Sequence, residues 1–238
     1  MTSPLEIPGL ANARDLGGLQ RQDGSTTPFG VFIRSDAPDL VSLEGWDRLR
    51  ERGVATVIDL RRPEERTPGV PNDIDLVTVD LDGEDRAFWE PLEADGRWGT
   101  PLYYVPHLSD LPHRMAAVLQ AIAGARPGGV LYHCAAGWDR TGLVTAMLLR
   151  ALDVTTDAAR ADYATSFANA PAMETLRKRS QHADERIDVL SRFGHTPESA
   201  FASIYETIDF DAWSIAAGID STTLDAIRTW RNTVPRPT

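Results

Sequence analysis

The only cysteine in the chain, Cys134, ends a short apolar run, Gly129-Val130-Leu131-Tyr132-His133, and directly precedes three small residues, Ala135-Ala136-Gly137. Beyond Arg140, the residues Leu143, Val144, Met147, Leu148 and Leu152 recur at helical spacing. The first run predicts a buried strand and the second a helix facing the core. A strand passing through a tight turn into a core helix belongs to an α/β fold. It sets Cys134 at the carboxyl edge of a sheet, where open α/β folds bind ligands.

The rest of the chain fits that frame. Val31 to Arg34 reads as a strand, Val54 to Leu60 as a buried strand, and Ile74 to Leu81 as another. Ser42 predicts the cap of a helix over Leu43 to Arg52, stopped by Gly53. Pro112 to Ala123 reads as a helix. From Thr155 to Asp209 the pattern is mostly helical, with breaks near Asn169-Ala170-Pro171 and Gly194-His195. Thr222 to Arg231 reads as a last helix, stopped by Pro235. The expectation is one α/β domain over residues 1–238: a central, mostly parallel sheet flanked by helices, with a helical extension able to cap the site.

Net charge narrows the partners. Lys plus Arg total 24 against 35 Asp plus Glu, a net charge of -11 over 238 residues. That argues against a nucleic-acid surface and against stable association with an anionic membrane. One cysteine permits no internal disulfide, which fits a reducing compartment. With no leader-like start and no long apolar run, the expected location is cytoplasmic.

The Cys134 loop carries the chemistry. Small residues let backbone N–H groups turn inward as an anion nest, and the following helix adds its positive N-terminal end. The same field favours a thiolate; cysteines in such settings fall from about 8.5 to roughly 3.5–7.5 in pKa. Arg140 offers a fork for two phosphate oxygens. Asp139 offers an acid for the leaving oxygen, and the Thr141 hydroxyl a further hydrogen bond to sulfur. This predicts phosphomonoester hydrolysis through a thiophosphoryl intermediate, with no cofactor and no metal.

The loop His133-Cys134-Ala135-Ala136-Gly137-Trp138-Asp139-Arg140-Thr141-Gly142 resembles the H-C-x-A-G-K-D-R-T-G loop of the atypical bacterial tyrosine phosphatases, some of which are also described as lipid phosphatases. Asn12-Ala13-Arg14-Asp15-Leu16-Gly17-Gly18 is similar to the family's N-F-R-D-L-G-G opening. Arg34-Ser35-Asp36, Gly53 through Arg61, Glu64-Glu65-Arg66, Asp162-Tyr163 and Gly218-Ile219 match further segments. The resemblance implies Cys134 as nucleophile, Arg140 as phosphate binder, Asp139 as acid, and a helical lid within about residues 165–195. The implied substrate is phosphotyrosine or a comparable aryl phosphate. The alternatives are phosphoinositides or small phosphate esters, or a phosphate-reading module without turnover. Trp138 departs from the family's lysine, which is linked to extra phosphates on inositol lipids. Its indole either walls the pocket and stacks on an aryl phosphate, or packs away beneath the lid.

Other candidates carry less. Val79-Asp80-Leu81-Asp82-Gly83-Glu84 resembles the strand end of magnesium-dependent aspartate phosphatases; alternatively, Asp82 or Asp85 supplies the acid in place of Asp139. Asp59 and Arg61 either line the pocket or tie down the Arg14-Asp15 loop. His133 is expected to steady the loop through backbone hydrogen bonding. His107 and His113 show no metal-site spacing. Arg177-Lys178-Arg179 reads as a solvated basic face, or as a lid face that draws in anions.

Overall fold

In the computed structural model, which describes residues 3–230, the apolar runs pair into one sheet. Its strands are β1 (Ser3–Pro4), β2 (Arg14–Asp15), β3 (Phe32–Ser35), β4 (Val54–Asp59), β5 (Asp75–Thr78) and β6 (Gly129–His133). Their order across the sheet is β1-β2-β3-β6-β4-β5. The last four run parallel, and β1 and β2 add a short antiparallel edge. Every residue of β6 is buried, as expected of a central parallel strand covered on both faces. Ser35 of β3 and Asp59 of β4 both pair with His133 of β6. The segments that follow these three strands therefore leave the sheet side by side.

Eleven α-helices are seen among the described residues. α1 (Leu43–Glu51) is capped by Ser42, whose side chain accepts the Gly45 amide. α4 (Pro112–Gly124) precedes β6, and α5 (Asp139–Ala151) follows the loop. α5 is buried nearly all round, not on one stripe. The reason is its neighbours: α4, α6 (Thr156–Ala168), α9 (Pro197–Thr207), α10 (Phe210–Ala216) and α11 (Ser221–Arg228) all pack on it. A smaller apolar cluster of Trp46, Leu49, Ile33, Val57 and Leu131 fills the other face of the sheet, under α1.

Three helices escape the sequence pattern. α2 (Arg86–Asp95) carries Pro91 in its interior, and α3 (Tyr104–Asp110) carries Pro106 in its first turn, where the missing N–H costs little. α10 is only seven residues long. The stretch after Thr155 also breaks once more than its composition suggests. Between α7 (Ala170–Arg177) and α8 (Ala183–Arg192), Lys178 and His182 adopt left-handed backbone with φ of 52° and 54°. The last helix ends at Arg228; Arg231 and Pro235 lie outside the described residues. Among the described residues, no helix is long and apolar enough to cross a membrane.

Candidate active site

The loop from Cys134 to Arg140 joins β6 to α5, and its carbonyls from Cys134 to Asp139 each have a hydrogen-bond partner. His133 Nδ1 lies 3.0 Å from the Cys134 oxygen. The Ala37 amide takes Ala135 O, and Asn12 Nδ2 takes both Ala136 O and Gly137 O, each at 3.0 Å. Arg34 adds a second bond to Gly137 O, the Gly142 amide bonds Trp138 O, and the Tyr104 hydroxyl donates to Asp139 O. No protein acceptor takes the amides of Ala135, Ala136 and Gly137 among the described residues. Carbonyls satisfied outside and amides free inside make a concave anion nest. Gly137 is required there. Its φ is +65°, and a Cβ would sit 2.3 Å from Ser35 O.

Cys134 is 2% exposed and reaches solvent through a cavity of about 460 Å³. Ala135, Ala136, Asp139 and Arg140 line the same cavity, with Asp82, Arg62, Glu65, Tyr103 and Trp98. Arg140 is held by Glu65 through two bonds, 2.5 and 2.7 Å, and lies 3.4 Å from Asp82. Burial works against the Arg140 charge, but Glu65, Cys134 and Asp82 outweigh it and raise its pKa. Arg140 keeps its charge at all working pH. The bidentate grip fixes the guanidinium plane.

Of the carboxyl groups that line this cavity, burial raises Asp82 and Asp139. Burial pushes Asp82 up to about 6, against the pull of Arg140 and Arg62. Burial also raises Asp139, opposed by Arg186 and Arg140. Asp139 forms a 2.6 Å ion pair with Arg186 of α8. Asp85 is not part of the site: it caps α2 by accepting the Phe88 amide. Asp80 likewise closes a turn, accepting the Gly83 amide. At this strand end Asp82 lies 3.4 Å from each of two guanidinium groups, those of Arg62 and Arg140, in keeping with the turn favoured over the magnesium reading.

For Trp138 the structure selects one of the two placements left open, and for Thr141 it departs from expectation. Trp138 is fully buried and does not line the cavity. Its ring packs edge-on against Phe167 at 4.5 Å, with the Arg186 guanidinium 4.8 Å above it. Of the two placements open to it, the indole takes the one beneath the lid. The Thr141 hydroxyl is buried with no partner and makes no bond to the Cys134 sulfur.

Behind the loop sits a network that the sequence did not announce. Arg14 and Arg34, paired across β2 and β3, converge on the Asp162 carboxylate of α6 at 2.6 and 2.5 Å. All three side chains are fully buried. Burial alone would raise Asp162, but the two guanidinium groups hold it below the usual range. Asp59 pairs with Arg61, and Arg61 reaches on to Asp39. This pair therefore braces the segment after β3 and does not tie down the Arg14-Asp15 loop. His133 Nε2 is 3.9 Å from Asp59, and burial lowers its pKa, so it stays neutral.

From the segment expected as a lid, Arg179, Ser180, Gln181, His182 and Arg186 line the cavity. The basic run divides. Arg177 pairs with Asp36, Lys178 is exposed, and Arg179 faces the cavity. Glu65, Arg62 and Arg186 are the site residues that sequence reasoning missed. Glu65 had a signal, its place four residues after Arg61 in the matched segment; Arg186 had none.

Comparison with known proteins agrees with this geometry. Residues 5–230 match the tyrosine phosphatase family. The chain belongs to it. A Cupriavidus necator protein, assigned provisionally by its name to the tyrosine-protein phosphatases, is 32% identical over 163 residues, covering 65% of this chain and 59% of that protein. The triple specificity protein phosphatase PtpB of Mycobacterium tuberculosis is 31% identical over 217 residues, 77% of this chain and 75% of that protein. A Nostoc commune tyrosine-protein phosphatase is 31% identical over 129 residues and 43% of its length. The chain thus spans less than two thirds of the first and third of these family members.

Proposed function

We propose that this chain is a cysteine-dependent protein tyrosine phosphatase, one domain whose α7–α8 segment serves as a lid over an aryl phosphate. The observation that carries this reading is the loop itself, in which a cysteine and a braced arginine share one cavity with inward amides. The thiolate of Cys134 attacks phosphorus, forming the P–S bond as the ester P–O bond breaks. Arg140 and the loop amides hold the equatorial oxygens where charge develops. Asp139 gives the departing phenoxide its proton. Water then attacks the thiophosphate, Asp139 takes back a proton, and the P–S bond breaks to release phosphate. None of these steps calls on a metal or cofactor.

Phosphotyrosine is favoured over phosphoinositides because the loop's side chain at Trp138 is apolar and turned away. A cytoplasmic setting suits the net charge of -11 and the single thiol. The test is hydrolysis of p-nitrophenyl phosphate with and without EDTA, beside Cys134→Ser. Activity is expected to survive EDTA and to vanish in Cys134→Ser. Full activity in Cys134→Ser would end the proposal.

A further inference from the structure

We propose that Arg186, carried on α8, is a positioning residue that sets the charge of Asp139 and so decides when the loop holds an acid. The inference rests on the reading of Asp139 as proton donor. Arg186 is held from several sides. Its Nη1 bonds both the Asp139 carboxylate, at 2.6 Å, and the Gly99 carbonyl. Its Nε donates to Gln181 O at 3.1 Å, and its guanidinium lies over the Trp138 ring. Trp138 in turn is fixed by Phe167 of α6. A cation on the lid is thereby delivered to the acid of the loop, on a platform that the loop itself provides.

The groups facing Asp139 leave this role to Arg186. Arg140, its neighbour on α5, also favours the carboxylate, less than Arg186 does, while its guanidinium is hydrogen-bonded to Glu65. Tyr103 and Tyr104 face it from the turn before α3 and from α3 itself, and Tyr163 from α6. Burial raises all three phenols, so they remain neutral. A guanidinium bonded at 2.6 Å favours the carboxylate, whereas burial favours the neutral acid. Burial raises Asp139, and the 2.6 Å pair with Arg186 pulls it back towards the carboxylate, the form that the second step needs to accept a proton from water. The first step needs the protonated form. Arg186 lines the same cavity as Cys134 and Asp139, so an entering phosphate dianion competes for it and frees Asp139 to take up a proton from solvent. The acid is then armed by substrate.

The pH dependence of kcat/KM, which reports the free enzyme where Arg186 still holds Asp139, separates this from a purely structural anchor. Two substrates are used: phenyl phosphate, whose leaving group needs protonation, and p-nitrophenyl phosphate, whose leaving group needs little. In Arg186→Met the alkaline limb on phenyl phosphate is expected to move up by about one pH unit. The ratio of phenyl to p-nitrophenyl turnover on that limb rises several-fold, and Arg186→Lys returns both towards wild type. The double variant Asp139→Asn, Arg186→Met behaves as Asp139→Asn alone. Arg186→Gln replaces Arg186→Met where the latter fails to fold. A limb lost in Asp139→Asn but unmoved in Arg186→Met, with only KM or Tm changed, overturns the inference alone. A limb retained in Asp139→Asn overturns the acid assignment, and this inference with it.

Discussion

At the residue scale, Trp138 illustrates how burial decides what a substitution can do. The family lysine at this place would be read as a substrate contact, yet the indole here is sealed between Phe167 and Arg186. Trp138→Lys therefore puts an ammonium in an enclosed site beside an existing guanidinium. It is expected to cost about 3–5 kcal/mol, the range for losing a large core side chain, and to bring no gain on phosphoinositides. Thermal unfolding and the ratio of inositol-lipid to aryl phosphate turnover check this; a normal Tm with a raised ratio would contradict the packing argument. The cysteine, the arginine and the glycine of the loop were readable as residues because the proposed chemistry demands their type. The exclusion of Trp138 from the pocket was not, because a side chain's direction depends on which helix arrives above it.

At the element scale, the phosphate loop hangs on contacts from distant segments. Asn12 bonds two loop carbonyls and also meets Asn169, the joint between α6 and α7. The Arg14, Arg34 and Asp162 network joins β2, β3 and α6 behind the same loop. Asp162→Asn would leave two buried guanidinium groups without their carboxylate. Breaking a buried pair in this way costs about 3–5 kcal/mol. The expected result is a large fall in urea midpoint at neutral pH. Because the folded carboxyl is held low, the difference from wild type is present above about pH 4 and shrinks as pH falls further. A midpoint within error of wild type would show that the network is dispensable. The sequence marked Arg14 as a family match able to form a salt bridge and Asp162 as a family match; their pairing across 148 positions has no local signal.

At the scale of the whole molecule, pH sensitivity follows from buried titratable groups. His107 sits in an aromatic cluster with Phe88, Trp89 and Tyr103, its Nε2 3.0 Å from Leu81 O. Burial lowers it to about 4, from an ordinary value near 6.5. Its neutral form stabilises the fold fully above about 6.5, and that contribution is lost as pH falls towards 4. Asp82, raised to about 6, works in the opposite direction over much of the same window. The comparison of wild type with His107→Gln cancels Asp82. The Tm advantage of wild type over His107→Gln is expected to shrink between neutral pH and pH about 4.5. A constant difference would show that His107 does not titrate with unfolding.

The sequence by itself determined the strand, loop and helix around Cys134, the parallel α/β sheet and the family. Those features are local: apolar period, turn chemistry and motif spacing lie within a few residues of one another. Only the tertiary structure decided that Glu65 braces Arg140, that Arg186 reaches Asp139, and that Trp138 lies under the lid. These contacts join residues 75 and 47 positions apart, or depend on how α6 and α8 settle over the loop. Charge pairing across such distances is fixed by packing, which no short window of sequence records.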